Sequence, residues 1–544
     1  MKNLLSALVI LLSLNAWSQF PELQWEYPIG APCFGSPSAA DLDNDGFYEI
    51  VFTTYTNDGR AHCINAEDGS VKWIYDIGGC GDVAPLIYDM NQDGVLDVVV
   101  NGSCNPTIFC IDGNSGDLLW SMPSGGGDSP PTAADMDGDG MPEVLFGNFN
   151  GELRILNGED GTLAQSFQVT GLGALQTEPT LADVDDDGDL DILAANYFYN
   201  DGLYVWAFDF DGNMLWENQI IDPEADLHAY HGGAVADIDN DGKLEYVIGS
   251  GAGYVQALNI EDGSELWNIS VSASNMSAIT IADLDDDGEL EVVFNNNDYL
   301  TFDDRIWVLD GATGEEEWSY PITFSSFRGM AVSDINGNGQ LDLVSGHFMG
   351  KVRAIEPYNG LIWEINLLDY FEDGLPWFEA DSQPLIADFD QNGTMDVFVS
   401  GGYGTYTPDA QNTGSAFMLE AGVGTCPEWL MFRHDVHRTG YLSAEEVEEA
   451  CEEVSIDENA SSQQIEIYPN PTDDLLNISV LMPGIDVVDI QVTDLMGKQV
   501  LVERDVDASR RVHYLETQYW APGLYTITLL ESGQPLGNFK AIVK

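Results

Sequence analysis

The sequence predicts an all-β chain: an eight-bladed β-propeller followed by a small C-terminal β-sandwich. Three observations predict it. A nine-residue acidic motif recurs eight times, a motif ending in tryptophan falls between the copies, and strand-like apolar runs flank both. Self-similarity at a period near fifty residues marks a repeat architecture, and a four-stranded unit of about that length is a propeller blade.

The acidic motif, D-x-[DN]-x-[DN]-G-x-x-[DE], begins at Asp41, Asp89, Asp135, Asp183, Asp237, Asp283, Asp334 and Asp388, at intervals of 48, 46, 48, 54, 46, 51 and 54 residues. Each copy follows a short small-residue segment such as Pro37-Ser-Ala-Ala-Asp41 and precedes an apolar run such as Glu245-Tyr-Val-Ile-Gly249. These runs are short, β-branched or aromatic and end at Gly or Asn, which is strand chemistry. Between the acidic copies lie segments such as Asp112-Gly-Asn-Ser-Gly-Asp-Leu-Leu-Trp120 and Asn259-Ile-Glu-Asp-Gly-Ser-Glu-Leu-Trp267. Turns containing Asp-Gly read as hairpins, and the tryptophans are predicted to pack between neighbouring blades. Leu23-Gln-Trp25-Glu-Tyr-Pro-Ile-Gly30 reads as a fourth strand with no acidic loop before it, while the last unit supplies the earlier strands. Pairing the two closes the ring and leaves no open sheet edge. Seven blades plus an appendage is the alternative, because two intervals stretch to 54.

The acidic motif predicts calcium. Ca2+ prefers about 6–8 hard oxygen ligands, many of them carboxylates on a tight loop. Positions 1, 3 and 5 supply side-chain oxygens, Gly at position 6 permits the sharp turn, position 7 gives a carbonyl and position 9 a further carboxylate. The predicted ligands are Asp41, Asp43, Asp45 and Glu49 in loop one; Asp89, Asn91, Asp93 and Asp97 in loop two; Asp135, Asp137, Asp139 and Glu143 in loop three; and Asp183, Asp185, Asp187 and Asp191 in loop four. Loop five supplies Asp237, Asp239, Asp241 and Glu245, and loop six Asp283, Asp285, Asp287 and Glu291. Loop seven supplies Asp334, Asn336, Asn338 and Asp342, and loop eight Asp388, Asp390, Asn392 and Asp396. Up to eight ions are expected. Loop seven has only two carboxylates and should bind most weakly. Position 12, acidic in an EF-hand, is here Phe52, Val100, Phe146, Ala194, Ile248, Phe294, Ser345 and Val399. Asp-Asn-Gly clusters also form ordinary turns; eight copies in register favour the metal.

The ends and the charge bound the setting. Lys2, the apolar run from Leu4 to Leu14 and Ala16-Trp17-Ser18 predict a signal peptide over 1–18. The run is too short to span a bilayer, and no later stretch is long and apolar enough to do so. The formal charge of −76 comes from 17 basic and 93 acidic residues, and so argues against nucleic acid or anionic lipid as a partner. Hydrophobic residues at 44% and 13 Trp argue against disorder. The seven cysteines contain no CxxC pair, and some should pair in an oxidising compartment. The odd count leaves at least one cysteine free or intermolecular, and sequence alone does not fix the connectivity; Cys33 with Cys80, Cys104 with Cys110 and Cys426 with Cys451 are the candidate pairs. The propeller is expected over 19–441, an acidic linker over 442–463, and the sandwich over 464–544.

Four resemblances sharpen these expectations. The acidic repeats, with Phe34-Gly35-Ser36-Pro37 ahead of the first, resemble the FG-GAP repeats of integrin α-subunit propellers, which implies structural calcium. The Asp-Gly…Trp segments also resemble the repeats of quinoprotein-type propellers. Trp429-Leu-Met-Phe-Arg-His434-Asp with Arg438-Thr-Gly440 resembles the closing segment of secreted propellers. After the linker, Tyr468-Pro-Asn-Pro471, Asp494-Leu-Met-Gly497 and Pro522-Gly-Leu-Tyr525 closely resemble the type A C-terminal sorting domain of the type IX secretion system of Bacteroidota. That resemblance implies recognition by the secretion machinery, export across the outer membrane, removal of the domain, and surface attachment or release.

Functionally, the sequence favours a secreted or surface-attached calcium-binding propeller acting as a binding or adhesion module for an extracellular protein or glycan, and leans away from an enzyme. No catalytic or organic-cofactor residues are assigned. A quinoprotein dehydrogenase would carry an adjacent-cysteine pair, which is absent. The alternative is a calcium-dependent polysaccharide lyase, for which His228-Ala-Tyr-His231 and His434-Asp-Val-His437 are the candidate bases.

Overall fold

The computed structural model describes residues 21–170, 173–197, 203–219, 229–251, 253–271, 277–296, 303–323, 326, 328–371, 375–380, 382–404 and 407–429, together with most of the strand segments between 464 and 543. The expected signal peptide, the linker, His228, His434 and His437 lie outside them, and so does the Cys426–Cys451 pairing.

The first unit contains eight antiparallel sheets. Blade one runs Ser38–Ala40, Glu49–Thr53, Arg60–Asn65 and Val71–Asp76, each strand pairing with the next. Blades two to seven repeat this order. The first strand is short because it leads directly into the acidic loop. The second is buried along its whole length, as Glu49–Thr53 and Asp97–Asn101 show. Blade eight joins the two ends. Leu385–Ala387, Met395–Tyr403 and Thr413–Gly422 are completed by Glu22–Ile29, with Glu22 opposite Glu420 and Ile29 opposite Gly414. Eight blades with this closure are therefore what the chain forms, and the seven-bladed alternative is excluded.

Tryptophans hold neighbouring blades together. Trp73 of blade one donates its indole N–H to the Gly113 carbonyl of blade two at 2.6 Å. Trp120 reaches Gly158 at 2.6 Å, Trp216 reaches Ile260 at 2.7 Å, Trp267 reaches Gly311 at 2.6 Å, and Trp25 reaches Ala66 across the closure at 3.0 Å. The turn glycine of the next blade lies against each ring. A Cβ on Gly314, whose φ is +69°, would meet Trp267 at 2.7 Å. Gly is thus needed there both for the left-handed backbone and for the close approach. The apolar core fills the gaps between blades: Leu42, Val51 and Trp73 of blade one pack with Ile87, Val98 and Phe109 of blade two.

Two features depart from the sequence reading. Thr425–Trp429 adds a fifth strand to blade seven beside Ala331–Asp334. Gly424 makes the crossing possible, since a Cβ there would lie 1.5 Å from the Asp334 carbonyl oxygen. The cysteine pairing also differs. Cys80 is bonded to Cys104, while Cys33, Cys63 and Cys110 are free and buried. Cys104 lies in the turn between the second and third strands of blade two, where the Ser103 N–H donates to the Cys80 carbonyl at 3.0 Å. Cys110 instead lies within the third strand, opposite Trp120, and faces the apolar core. The expected Cys33–Cys80 and Cys104–Cys110 bridges are therefore corrected.

The second unit, Glu452–Lys544, contains two antiparallel sheets. One orders Gln499–Asp507, Val487–Asp494, Gly523–Glu531 and Gln534–Val543; the other orders Gln464–Tyr468, Leu475–Leu481 and Val512–Glu516. Ile490 and Val492 on one strand, Tyr525 and Ile527 on another, and Leu515 of the smaller sheet are buried. Alternation at every second residue is the mark of a sheet with one face covered.

Candidate metal centres

Each acidic motif forms the loop between the first and second strands of its blade, and all eight fold alike. The position 1 carboxylate accepts the backbone N–H of the position 6 glycine at 2.8–3.0 Å in every loop, from Gly46 on Asp41 to Gly393 on Asp388. The position 5 side chain accepts the position 7 N–H, as Asp45 does from Phe47 at 2.9 Å. The position 6 glycines have φ between +82° and +93°, and a Cβ on any of them would meet nothing within 4 Å. Backbone conformation, not space, is what demands glycine there.

Position 4 escaped the sequence reading. Asn44, Gln92, Gly138, Asp186, Asn240, Asp286, Gly337 and Gln391 all adopt positive φ, between +54° and +74°. The signal was present: these eight residues are short polar residues, Gln or Gly, without one β-branched or aromatic member.

Position 9 begins the second strand, and its carboxylate turns back into the loop. There it accepts the N–H of position 2 in all eight copies, at 2.7–3.1 Å, from Leu42 on Glu49 to Phe389 on Asp396. These carboxyls are buried, Asp97, Asp342 and Asp396 completely. Burial pushes them up: Asp97, Glu143, Asp342 and Asp396 to about 7, Asp191 to about 6, Glu245 to about 8 and Glu291 to about 9, with Glu49 also raised. Like charges in the same loop add to the effect, and the amide hydrogen bond opposes it.

Whether these residues suit a divalent cation can be judged from the atoms left over. One oxygen of Asp97 and one of Asp342 is bonded to a backbone amide, while Oδ1 of each is buried without a hydrogen-bond partner. In loops three to six the oxygens of positions 1, 3 and 9 converge within 4.8 Å of one another. Hard, anionic oxygens gathered this closely and partly desolvated fit Ca2+. Loop seven is a poorer fit than loops three to six, because the Asn336 amide donates to Asp342 Oδ2 at 3.1 Å and fills part of the ring itself.

A second cluster sits where the connections between blades meet. Arg328 Nη2 donates to Asp82 Oδ1 at 2.7 Å and lies 5.4 Å from the Tyr230 ring centre. His231 Nδ1 lies 4.0 Å from Glu178 Oε1, both side chains being buried, and Gln176 donates to Asp128 at 2.7 Å. His231 is the candidate histidine among the described residues, and it falls in this cluster.

Comparison with known proteins agrees with this architecture. The FG-GAP-like repeat matches residues 89–146 and 135–194, the outer membrane protein assembly factor BamB family matches residues 200–424, and the secretion system C-terminal sorting domain matches residues 466–544. No curated protein matches. Among solved structures, the Vibrio cholerae biofilm matrix protein Bap1 is similar at 14% identity and a TM-score of 0.52, over 74% of this chain and 91% of that one. A europium-containing methanol dehydrogenase is similar at 12% identity and a TM-score of 0.53, over 74% and 93%. Sqt1 of Saccharomyces cerevisiae is similar at 13% identity and a TM-score of 0.51, over 73% and 99%. At these identities the likeness shows the fold alone. The sorting domain marks a secreted or cell-surface protein handled by the secretion machinery, and among the described residues no helix is long and apolar enough to cross a membrane. This chain is an eight-bladed β-propeller protein with FG-GAP-like repeats and a C-terminal type IX secretion sorting domain.

Proposed function

We propose that the chain works at the outer cell surface or beyond it as a calcium-stiffened propeller that binds an extracellular protein or glycan. The observation that carries the reading is the uniformity of the eight loops, each presenting a buried position 9 carboxylate to the same turn. The same oxygen-bearing pattern at positions 1, 3, 5 and 9 in eight copies supports metal binding better than eight independent surface turns. The predicted ligands, Asp41 to Asp396, would hold up to eight Ca2+ ions. Bound ions would neutralise carboxylates that are costly to bury and tie the first strand of each blade to the second. A ring braced this way suits a secreted scaffold whose connecting loops present the recognition surface.

The test takes the purified chain in calcium and in chelator. Chelation should lower the melting temperature sharply, and a protein free of alkaline-earth ions with an unchanged melt would refute the metal. A panel of immobilised glycans and matrix proteins should then show retention without chemical change.

One observation favours a second reading, a polysaccharide lyase. The Tyr230 ring lies 5.4 Å from Arg328 and 4.9 Å from the His231 ring, so a candidate base and a cation flank one aromatic ring, the two groups that β-elimination from a uronate requires. Unsaturated oligosaccharides released from the same glycan panel would establish that reading in place of simple binding.

A further inference from the structure

The fourth strand of every blade carries a β-bulge at one equivalent place. In blade one Cys63 pairs with Trp73 and Ile64 with Val71, leaving Lys72 unpaired between them. The same skip leaves Leu119, Ala164, Leu215, Leu266, Glu317 and Ile362 unpaired in blades two to seven, and Gln24 in blade eight. A bulge re-aims its extra side chain. In blades one, six and eight it meets positions 3 and 9 of the acidic loop of its own blade. Gln24 Nε2 lies 3.5 Å from Asp390 Oδ2 and donates to Asp396 Oδ1 at 2.9 Å. Glu317 acts electrostatically on Asp285 and Glu291, the matching positions of loop six. Lys72 Nζ forms an ion pair with Asp43 and lies 3.3 Å from Glu49 Oε1, with its side chain only 11% exposed.

Five bulge residues are apolar, one is an amide, one a carboxylate and one a cation. Lys72 is thus the one bulge side chain that brings positive charge into an acidic loop. In loops three to six, positions 1, 3 and 9 converge; in loop one the converging trio is Asp41, Asp43 and Asp45, while Glu49 Oε1 faces the ammonium instead. A divalent ion drawing on Asp43 and Glu49 would stand beside that ammonium, and two cations that close in a partly desolvated site repel each other strongly.

We infer that the bulge residue sets the cation occupancy of each acidic loop, and that in loop one the Lys72 ammonium takes the place of the metal ion. The inference rests on the calcium reading of the other loops. Loop one is then a blade braced without metal. Its folding does not depend on the external calcium concentration, and it stands next to the closure where blade eight is completed by the chain's first strand.

The experiment compares the intact chain with its Lys72→Leu variant. Leucine already occupies the bulge at Leu119, Leu215 and Leu266, so the substitution suits the fold. Both proteins are equilibrated with calcium, freed of excess by gel filtration, and assayed for calcium per chain. The variant should hold one ion more than the wild type, and in chelator it should melt below the wild type, with the deficit recovered on adding calcium. Equal counts in two proteins that both hold calcium would overturn the lysine assignment alone. Absence of calcium from both would overturn the metal reading and this inference with it.

Discussion

Arg328 Nη2 donates to Asp82 Oδ1 at 2.7 Å although 246 residues separate them. Asp82 precedes blade two and Arg328 precedes blade seven, so blades that are not neighbours are bonded at the ring opening. Arg328 also donates to the Asp82 carbonyl at 2.9 Å, and its side chain is 5% exposed. The bond spans the ring where no strand pairing can.

Removing the guanidinium should therefore cost more than a surface charge would. Arg328→Met leaves Asp82 without its cation, and breaking such a buried pair costs about 3 kcal/mol. Equilibrium unfolding in urea should show that loss, whereas Lys243→Met, at an exposed pair with Glu261, should leave stability nearly unchanged.

Protonation of the position 9 carboxyls sets a pH dependence whose sign turns on the metal. Asp97, Glu143 and Glu245 are raised to about 7, 7 and 8 in the fold, against about 4 in the unfolded chain. A raised acid favours the folded state while protonated, so this stabilisation is full below about pH 4 and is lost as pH rises through 7–8. In chelator the melting temperature should fall between pH 5 and pH 8. Calcium, which requires the ionised form, should flatten or reverse that slope. Parallel melts across pH with and without calcium check it.

The turn glycines face the neighbouring indoles closely enough to be indispensable. Gly314→Ala would force a Cβ to 2.7 Å from Trp267 at a φ of +69°, and overpacking with backbone strain should cost about 2–3 kcal/mol. Gly288→Ala has open space at a φ of +84° and should cost about 1 kcal/mol in the metal-free protein. The difference between the two, read by thermal melting in chelator, isolates the contact with the tryptophan.

Peptide mapping without reduction should recover Cys80 joined to Cys104. Their separation of 24 residues puts the loop-closure contribution at about 3.5 kcal/mol. The Cys80→Ser/Cys104→Ser variant should lose about that much. Cys33→Ser should lose stability for a different reason, since a hydroxyl would replace a fully buried thiol.

Much of this was legible from residue spacing. Period and register expose blade number, because each blade must repeat the same strand–loop–strand chemistry to pack against the next. Ring closure was legible from Trp25, which stands in a fourth-strand context with no loop before it. The position 6 glycines and the inter-blade tryptophans were likewise readable, since a left-handed turn and a large buried indole each admit few residue types. The disulfide was not. Cys104 and Cys110 are close in sequence, yet one lies in a turn and the other faces the core between blades, a distinction made by the pleat of the strand.

The sequence by itself determined the repeat, the closure, the acidic loops and the sorting domain, because local spacing controls turns, strand pairing and the clustering of oxygens within nine residues. Only the tertiary structure decided which side chains from elsewhere enter those loops. Lys72 reaches Asp43 and Glu49, Gln24 reaches Asp396 over 372 residues, and Arg328 finds Asp82 across the ring. Such contacts depend on strand register, bulge position and ring curvature, which arise from packing all eight blades together and from no single stretch of chain.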